Sequence, residues 1–303
     1  MTSPCAVGVD VGGTFVKLGL VQGHRILTQR ALPTASIGST PRKLQEGLVK
    51  AVGSLVRESR RRITGVGVGI PGWVQYPEGV VRSCANLPGW KDVPLRALLS
   101  RRLHLPVSVD NDVNVMTLAE WTAGAGRGAR NLVCVTLGTG VGGGLILDGR
   151  LYRGWNGFAG EIGHIPVAEA GPRCSCGGIA CLERYVGNRE ILQRVRDQLK
   201  QGVASVIPEL VGGDLRRLTP EVIDRACELG DPLGRQTWRW VGTQIGLVLI
   251  GVVNLLNPER IVVGGGISKA GRWLFEPMRK TVRRRAVRGA SRFEETRWST
   301  WMR

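Results

Sequence analysis

Twice in this chain an apolar strand runs into a glycine turn and comes straight back as a second strand. Ala6 to Val11 leads into Gly12-Gly13-Thr14, and Phe15 to Val21 returns. Asn131 to Leu137 leads into Gly138 to Gly144, Leu145 to Leu147 returns, and Asp148-Gly149 makes a further hairpin turn. A pattern that restarts in this way points to a duplicated α/β unit, and 303 residues suffice for two such units with cores of their own. Between the turns, Arg25 to Ala31 reads as a third strand. Pro41 to Arg62 reads as a helix with Leu44, Leu48, Val52, Leu55 and Val56 on one face. Val66 to Ile70 is a buried strand ending at Pro71-Gly72, Pro94 to Leu103 a short helix, and Val107 to Asp110 a strand followed by a helix through Trp121. Gly124 to Arg130 is a glycine-rich linker. Leu233 to Leu256 is a long helix stopped by Asn257-Pro258, and Arg260 to Val263 is a strand running into Gly264-Gly265-Gly266. The expected class is α/β, with a smaller domain over 1–120, a larger one over 121–303, and a ligand cleft between them.

The glycine turns carry chemistry as well as shape. Glycines let a backbone approach a phosphate, and consecutive N–H groups form an anion nest. Asp10 could hold Mg²⁺, directly or through water, and Thr14 could donate to a phosphate oxygen. A tight hairpin without a ligand explains the first turn equally well. The second, Gly138-Thr139-Gly140-Val141-Gly142-Gly143, spells the dinucleotide fingerprint. That fingerprint needs a helix next, whereas here a strand follows, so the reading is rejected. There is no P-loop motif either. Two glycine hairpins and a third glycine run suggest a nucleotide held from both domains.

Seven cysteines make an odd count, and three of them stand as Cys174-Ser175-Cys176 and Cys181, with His164 ten residues before the first. Three thiolates and one imidazole form a closed tetrahedral zinc site, a better account than three inert buried thiols. Cys5, Cys84, Cys134 and Cys227 read as core or near-surface residues without a role. Asn111-Asp112 closes a strand at a position where α/β sheets bind ligands. A carboxylate there either caps the next helix or takes a proton from an attacking hydroxyl, and position alone favours capping.

Net charge is +18, with a late basic run at Arg279, Lys280, Arg283, Arg284, Arg285, Arg288 and Arg292. Few aromatics interleave with it, so it reads as a solvated helix face rather than a nucleic-acid surface. No export signal is visible. The apolar stretch Val241 to Leu256 is short for a bilayer and interrupted by Thr243, Gln244 and Asn254. The expectation is a cytoplasmic protein with no membrane and no nucleic-acid partner.

Asp10 to Thr14, Ile70-Pro71-Gly72, Asn86 to Trp90, Asn111-Asp112, Leu137 to Gly144, Gly160-Glu161-Ile162-Gly163-His164 and Cys174 to Glu183 occur in that order. The set resembles the ROK family (repressors, open reading frames, kinases), in particular its bacterial glucokinase-like members, over about residues 6 to 268. The resemblance implies the actin-like, ribonuclease-H-like two-domain fold shared with hexokinases and Hsp70. It implies an ATP-dependent hexose kinase, most simply a glucokinase acting on the 6-hydroxyl, with N-acetylmannosamine or another hexose as the alternative substrate. Asp112 would be the base, and Gly72, Asn86, Asn111, Glu161, His164 and Glu183 would hold the sugar. Asp10, Gly12, Gly13, Thr14, Lys17, Gly138, Thr139, Gly140, Gly142, Gly143, Gly265 and Gly266 would hold ATP and Mg²⁺. His164, Cys174, Cys176 and Cys181 would hold Zn²⁺, and the family implies a dimer or tetramer. Its sugar-responsive repressors carry a helix-turn-helix domain, for which the five residues before Ala6 leave no room. The chain departs from the family at Ala180, where glycine is common. It departs again over Arg292 to Arg303, where a strand and an Ala/Gly-rich helix near the nucleotide are expected.

Overall fold

The structure is a computed structural model that describes residues 4–84, 87 and 89–289. Asn86 and the atypical stretch from Arg292 lie outside the described residues. The chain forms two compact units, Met1–Ala119 with Arg153–Ala159, and Glu120–Tyr152 with Gly160–Arg303.

The first unit runs β1 (Cys5–Val11), β2 (Phe15–Gln22), β3 (Arg25–Pro33), α1 (Thr34–Ile37), α2 (Pro41–Ser59), β4 (Ile63–Ile70), β5 (Trp73–Gln75), β6 (Val80–Ser83), β7 (Lys91–Val93), α3 (Leu95–Leu103), β8 (Val107–Asn111) and the start of α4 (Asp112–Ala123). Its main sheet has the order β3-β2-β1-β4-β8. The hairpin strands are antiparallel, whereas β4 and β8 run parallel to β1. α2 begins with Pro41 at its first turn and ends where Arg60 turns left-handed at φ 49°. Its Leu44, Leu48, Val52 and Leu55 are buried with Val7, Val9, Leu18 and Val68 of the sheet. β5, β6 and β7 form a separate small antiparallel sheet that no sequence pattern announced.

The second unit repeats the plan with β9 (Leu132–Leu137), β10 (Val141–Leu147), β11 (Arg150–Tyr152) and, after helices α5 (Glu183–Val186), α6 (Asn188–Lys200), α7 (Ile207–Leu210), α8 (Pro220–Glu228) and α9 (Pro232–Leu256), the strand β12 (Arg260–Gly264) and helix α10 (Arg272–Arg285). The sheet order is β11-β10-β9-β12, again two antiparallel hairpin pairings and one parallel strand. The same order in both halves is the topology of a duplicated actin-like unit. α9 is longer than its apolar stretch suggested, and by length and composition it could cross a membrane. Here Leu233, Trp238, Val241, Ile245, Leu249 and Val253 are buried, and the helix packs on α10, α8, α5 and α6. α10 buries Leu274, Phe275, Met278 and Val282 and leaves Lys280, Arg283, Arg284 and Arg285 exposed. The expected linker from Gly124 is tethered rather than loose. Gly124 and Gly126 donate to Glu120 O at 3.1 and 2.9 Å, and the Arg260 guanidinium donates to Ala125 O at 2.7 Å.

One sequence reading is corrected. Gly142, Gly143 and Gly144 are not loop residues but sit inside β10, opposite Thr136, Val135 and Cys134 of β9. A Cβ at Gly143 would strike Gly160 O and the side chain of Ile162. The glycine therefore admits a close backbone crossing, which a strand-propensity reading penalises. Gly143→Ala should lower the unfolding free energy in urea by about 1–3 kcal/mol. Gly67→Ala, whose methyl meets nothing within 4 Å, is the control and should change it by less than about 1 kcal/mol. Equal midpoints for the two variants would refute the packing role.

Candidate active site

The register of three parallel strands gathers the polar residues of the first unit. Asp10 on β1 pairs with Gly69 on β4, Gly69 with Asp110 on β8, and Ile70 with Asn111. The strands thus deliver Asp10, Asp110 and Asn111 to the same end of the sheet, and Asp112 opens α4 there. A Cβ at Gly69 would lie 3.3 Å from Asp112 Cα and 3.5 Å from Val115, so its absence lets the helix start tight against β4.

Asp112 is held by its neighbours. The Val113 N–H donates to its Oδ1 at 3.0 Å and Asn111 Nδ2 donates to the same oxygen at 3.1 Å. Asn111 is itself consumed. Its Oδ1 accepts from Val113 and Asn114 N–H at 2.9 and 3.1 Å, and its Nδ2 also donates to Gly72 O at 3.1 Å. Asn111 thus does most of the capping that position alone assigned to the aspartate, and frees Asp112 Oδ2 for other work. Burial pushes the Asp112 carboxyl up to about 6, against the pull of the Val113 N–H and with a further push from the charge of Asp10. Asp10 itself is raised by burial and drawn back by Lys17, whose Nζ lies 3.8 Å from Asp10 Oδ2. Gly72, at φ 102°, has no room for a side chain over Ser83 and Cys84, and its carbonyl serves Asn111.

The first glycine turn divides into two kinds of glycine. A Cβ on Gly12 would lie 2.8 Å from Phe15 O, whereas Gly13 faces open space. Thr34, 2% exposed, braces the turn, with its Oγ1 donating to Gly12 O at 2.7 Å and its N–H to Thr14 O at 2.9 Å. Gly13 and Thr14 are left exposed to a ligand. Sequence reasoning missed Thr34, which sits in no motif.

It also missed Asp110 and Arg153. Asp110 is 5% exposed. Its Oδ1 accepts from Asn111 N–H at 2.8 Å and from Asn114 Nδ2 at 3.1 Å. Its Oδ2 takes both Nε and Nη2 of Arg153, at 3.0 and 2.7 Å. The guanidinium lies 3.7 Å above the Tyr76 ring.

In the second unit, Gly138, Thr139 and Gly140 make the turn between β9 and β10. Gly138 and, after β12, Gly266 face open space, and Thr139 is exposed. Gly140 has no room for a Cβ beside the Glu183 carboxylate, and Gly265, at φ 91°, none beside Leu137 O. Glu183 Oε2 accepts the Val141 N–H at 2.9 Å, which ties the turn to α5. Glu161 is raised by burial, lowered by His164 and raised by Glu183. These three form one polar group, with Glu161 Oε2 3.7 Å from His164 Nε2.

The other face of the same imidazole meets the cysteines. His164 Nδ1 lies 3.6 Å from Cys174 Sγ, Cys176 Sγ lies 3.6 Å from Cys181 Sγ, and all four donor atoms fall within 4.8 Å. A tetrahedral ion with metal–sulfur bonds of about 2.3 Å sets its sulfurs about 3.8 Å apart, so the spacing fits. The knuckle needs its glycines. Gly178 donates to Cys176 Sγ at 3.4 Å and would carry a Cβ 3.2 Å from Cys181 Sγ. Ala180 sits at φ 54°, a conformation glycine would take without cost. Burial and the neighbouring cysteines push the Cys181 thiol up to about 12, so a cation is what would let three thiolates stand this close.

A family model described as ROK family matches residues 6–298. A glucokinase of Halalkalibacterium halodurans is 36% identical over 284 residues, covering 90% of this chain and 84% of that protein. A xylose repressor of Caldicellulosiruptor bescii is 31% identical, covering 92% of this chain and 70% of the repressor. The crystal structure of a Streptomyces griseus ROK glucokinase with glucose and AMPPNP superposes with a TM-score of 0.78 at 31% identity, over 97% of this chain and 91% of that one.

The raised Asp112 pKa has a consequence for stability. A carboxyl whose folded pKa lies near 6, above its value in the unfolded chain, favours folding only while protonated. That contribution is full below about pH 4 and is lost as pH rises through 6. Asp112→Asn removes the charge, so it should raise urea stability over wild type by about 1–2 kcal/mol at pH 8 and leave the two nearly equal at pH 4. An Asn variant no more stable at pH 8 would contradict the burial argument.

Proposed function

This chain belongs to the ROK family, and from that premise we propose that it is an ATP-dependent hexose kinase transferring the γ-phosphoryl group to the 6-hydroxyl of glucose. The observation that carries the reading is Asp112. It is a partly desolvated carboxylate with one oxygen fixed by Asn111 and Val113, and no other described residue donates to its second oxygen, which can take a substrate proton. Near neutral pH it is ionised yet basic enough to accept the proton of an attacking hydroxyl. The hydroxyl oxygen then bonds the γ-phosphorus, the bond to the bridging oxygen breaks, and ADP leaves. Bound Mg²⁺ would neutralise phosphate charge, with Asp10 as its holder. The exposed Gly13 and Thr14 and the open Gly138 and Gly266 are where backbone can approach phosphates.

Glu161, His164 and Glu183 are assigned to the sugar hydroxyls, together with Asn86. Carboxylates and an imidazole suit a ligand that both donates and accepts. With Nδ1 of His164 on zinc, Nε2–H would be fixed as a donor toward the sugar side. Gly72 and Asn111 belong to the same sugar assignment, and Asn111, which donates to Gly72 O and to Asp112 Oδ1, also positions the base. The homo-oligomer, the cytoplasmic location and the lack of a nucleic-acid role are parts of the same proposal, taken from the family's kinases.

The test is ADP release from ATP and Mg²⁺ over glucose, N-acetylmannosamine, mannose, fructose and allose, with inorganic polyphosphate as a second donor. Glucose should give the highest kcat/KM, and Asp112→Asn should lose roughly 10²–10⁴-fold in kcat while still binding sugar. Full activity in that variant would remove the assigned base. Metal analysis should find one zinc per chain. Cys181→Ser should lose it and weaken sugar affinity more than nucleotide affinity, because His164 would no longer be oriented. Metal-free protein that folds and binds glucose normally would overturn the zinc assignment.

A further inference from the structure

We propose that Arg153 is a positioning residue for the base, acting through its buried ion pair with Asp110. The inference rests on Asp112 being the base, and it concerns a residue outside every motif of the glycine turns, the sugar group and the cysteine knuckle.

The geometry is that of a clamp. Both Asp110 oxygens are occupied from opposite sides. Oδ1 takes the N–H of Asn111 at the end of β8 and the side-chain Nδ2 of Asn114 in the first turn of α4, and Oδ2 takes the Arg153 fork. Asp110 thus holds the backbone just before Asp112 and the Asn114 side chain just after it, and Arg153 holds Asp110. The guanidinium is in turn fixed by the Tyr76 face at 3.7 Å. Its own segment is pinned by the Trp73 indole N–H on Asn156 O at 2.8 Å and by the Trp73 and Phe158 rings at 4.6 Å. A planar fork that bonds one carboxylate oxygen twice and stacks on a ring is a task for arginine and not for lysine.

The pair also sets charge. The charge of Asp10 on β1, which has Lys17 beside it on β2, raises Asp112, and Asp110, two residues before Asp112 on β8, is paired with Arg153 at 2.7 Å. β4 contributes Gly69 and Ile70, which carry none. Arg153 therefore cancels the carboxylate next to the base. Without it, a second buried negative charge would hold the proton on Asp112.

Opposite substitutions then move the acid limb of the kcat/KM–pH profile in opposite directions. Arg153→Gln leaves Asp110 unbalanced, and the limb should move up by about half a pH unit to one unit, with kcat at pH 8 down about tenfold and sugar KM little changed. Asp110→Asn can keep the bonds from the Asn111 N–H and Asn114 Nδ2 but leaves the arginine unbalanced, so the limb should move down by a similar amount. The double variant should return it to the wild-type position. Arg153→Lys should keep the limb and recover only part of kcat. The carbon-13 carboxyl signal of Asp112, assigned through Asp112→Asn, reads the same shifts without turnover. Should Arg153→Gln fail to fold, the downward shift in Asp110→Asn and its reversal in the double variant carry the test. A wild-type profile and carboxyl titration in both single variants would overturn the positioning role even if Asp112→Asn is inactive. Full turnover in Asp112→Asn would instead overturn the base assignment and this inference with it.

Discussion

A carboxylate kept partly out of water at the end of a parallel strand is the constraint that the first unit is organised around. Withdrawing Asp112 from solvent raises its affinity for a proton, which is chemically useful and thermodynamically costly. The structure limits that cost with donors already in place: the first N–H of α4 and the amide of Asn111. Those donors are positioned where α4 starts tight on β4, and a Cβ at Gly69 would press on Asp112 Cα at 3.3 Å. The site is therefore a property of strand register as well as of the aspartate.

The same reasoning separates glycines that look alike in sequence. Gly12, Gly140, Gly143 and Gly265 each lack room for a Cβ, so protein packing alone accounts for them. Gly13, Gly138 and Gly266 meet nothing within 4 Å, so packing does not account for them and a bound ligand could. Each glycine cluster holds both kinds side by side. One glycine closes the turn against its own scaffold while its neighbour keeps the backbone accessible.

Much of this was legible in the sequence because the signals were local. Apolar runs ending in glycine turns gave β1, β2, β9 and β12, the leucine spacing gave α2, and the cysteine knuckle stood out because its ligands lie within a short span. What escaped was non-local or short. The β5-β6-β7 sheet has strands of three or four residues, too brief for a period to show, and α5 and α7 have four residues each. The glycines of β10 were read as loop because propensity disfavours them in strands, although a crossing backbone required them. Arg153 lies 43 residues from Asp110 in the chain, and nothing in either residue's neighbourhood announces the other.

The position of that ion pair in the chain gives it a meaning beyond charge balance. The chain leaves the first unit along α4, whose first turn Asp110 holds, returns to it at Arg153, which Asp110 also holds, and leaves it again after Ala159. A single buried carboxylate therefore fixes, on the first unit, the outgoing helix and the incoming segment together. The register that places Asp110 beside the base is the same register that places it where both connections can be reached.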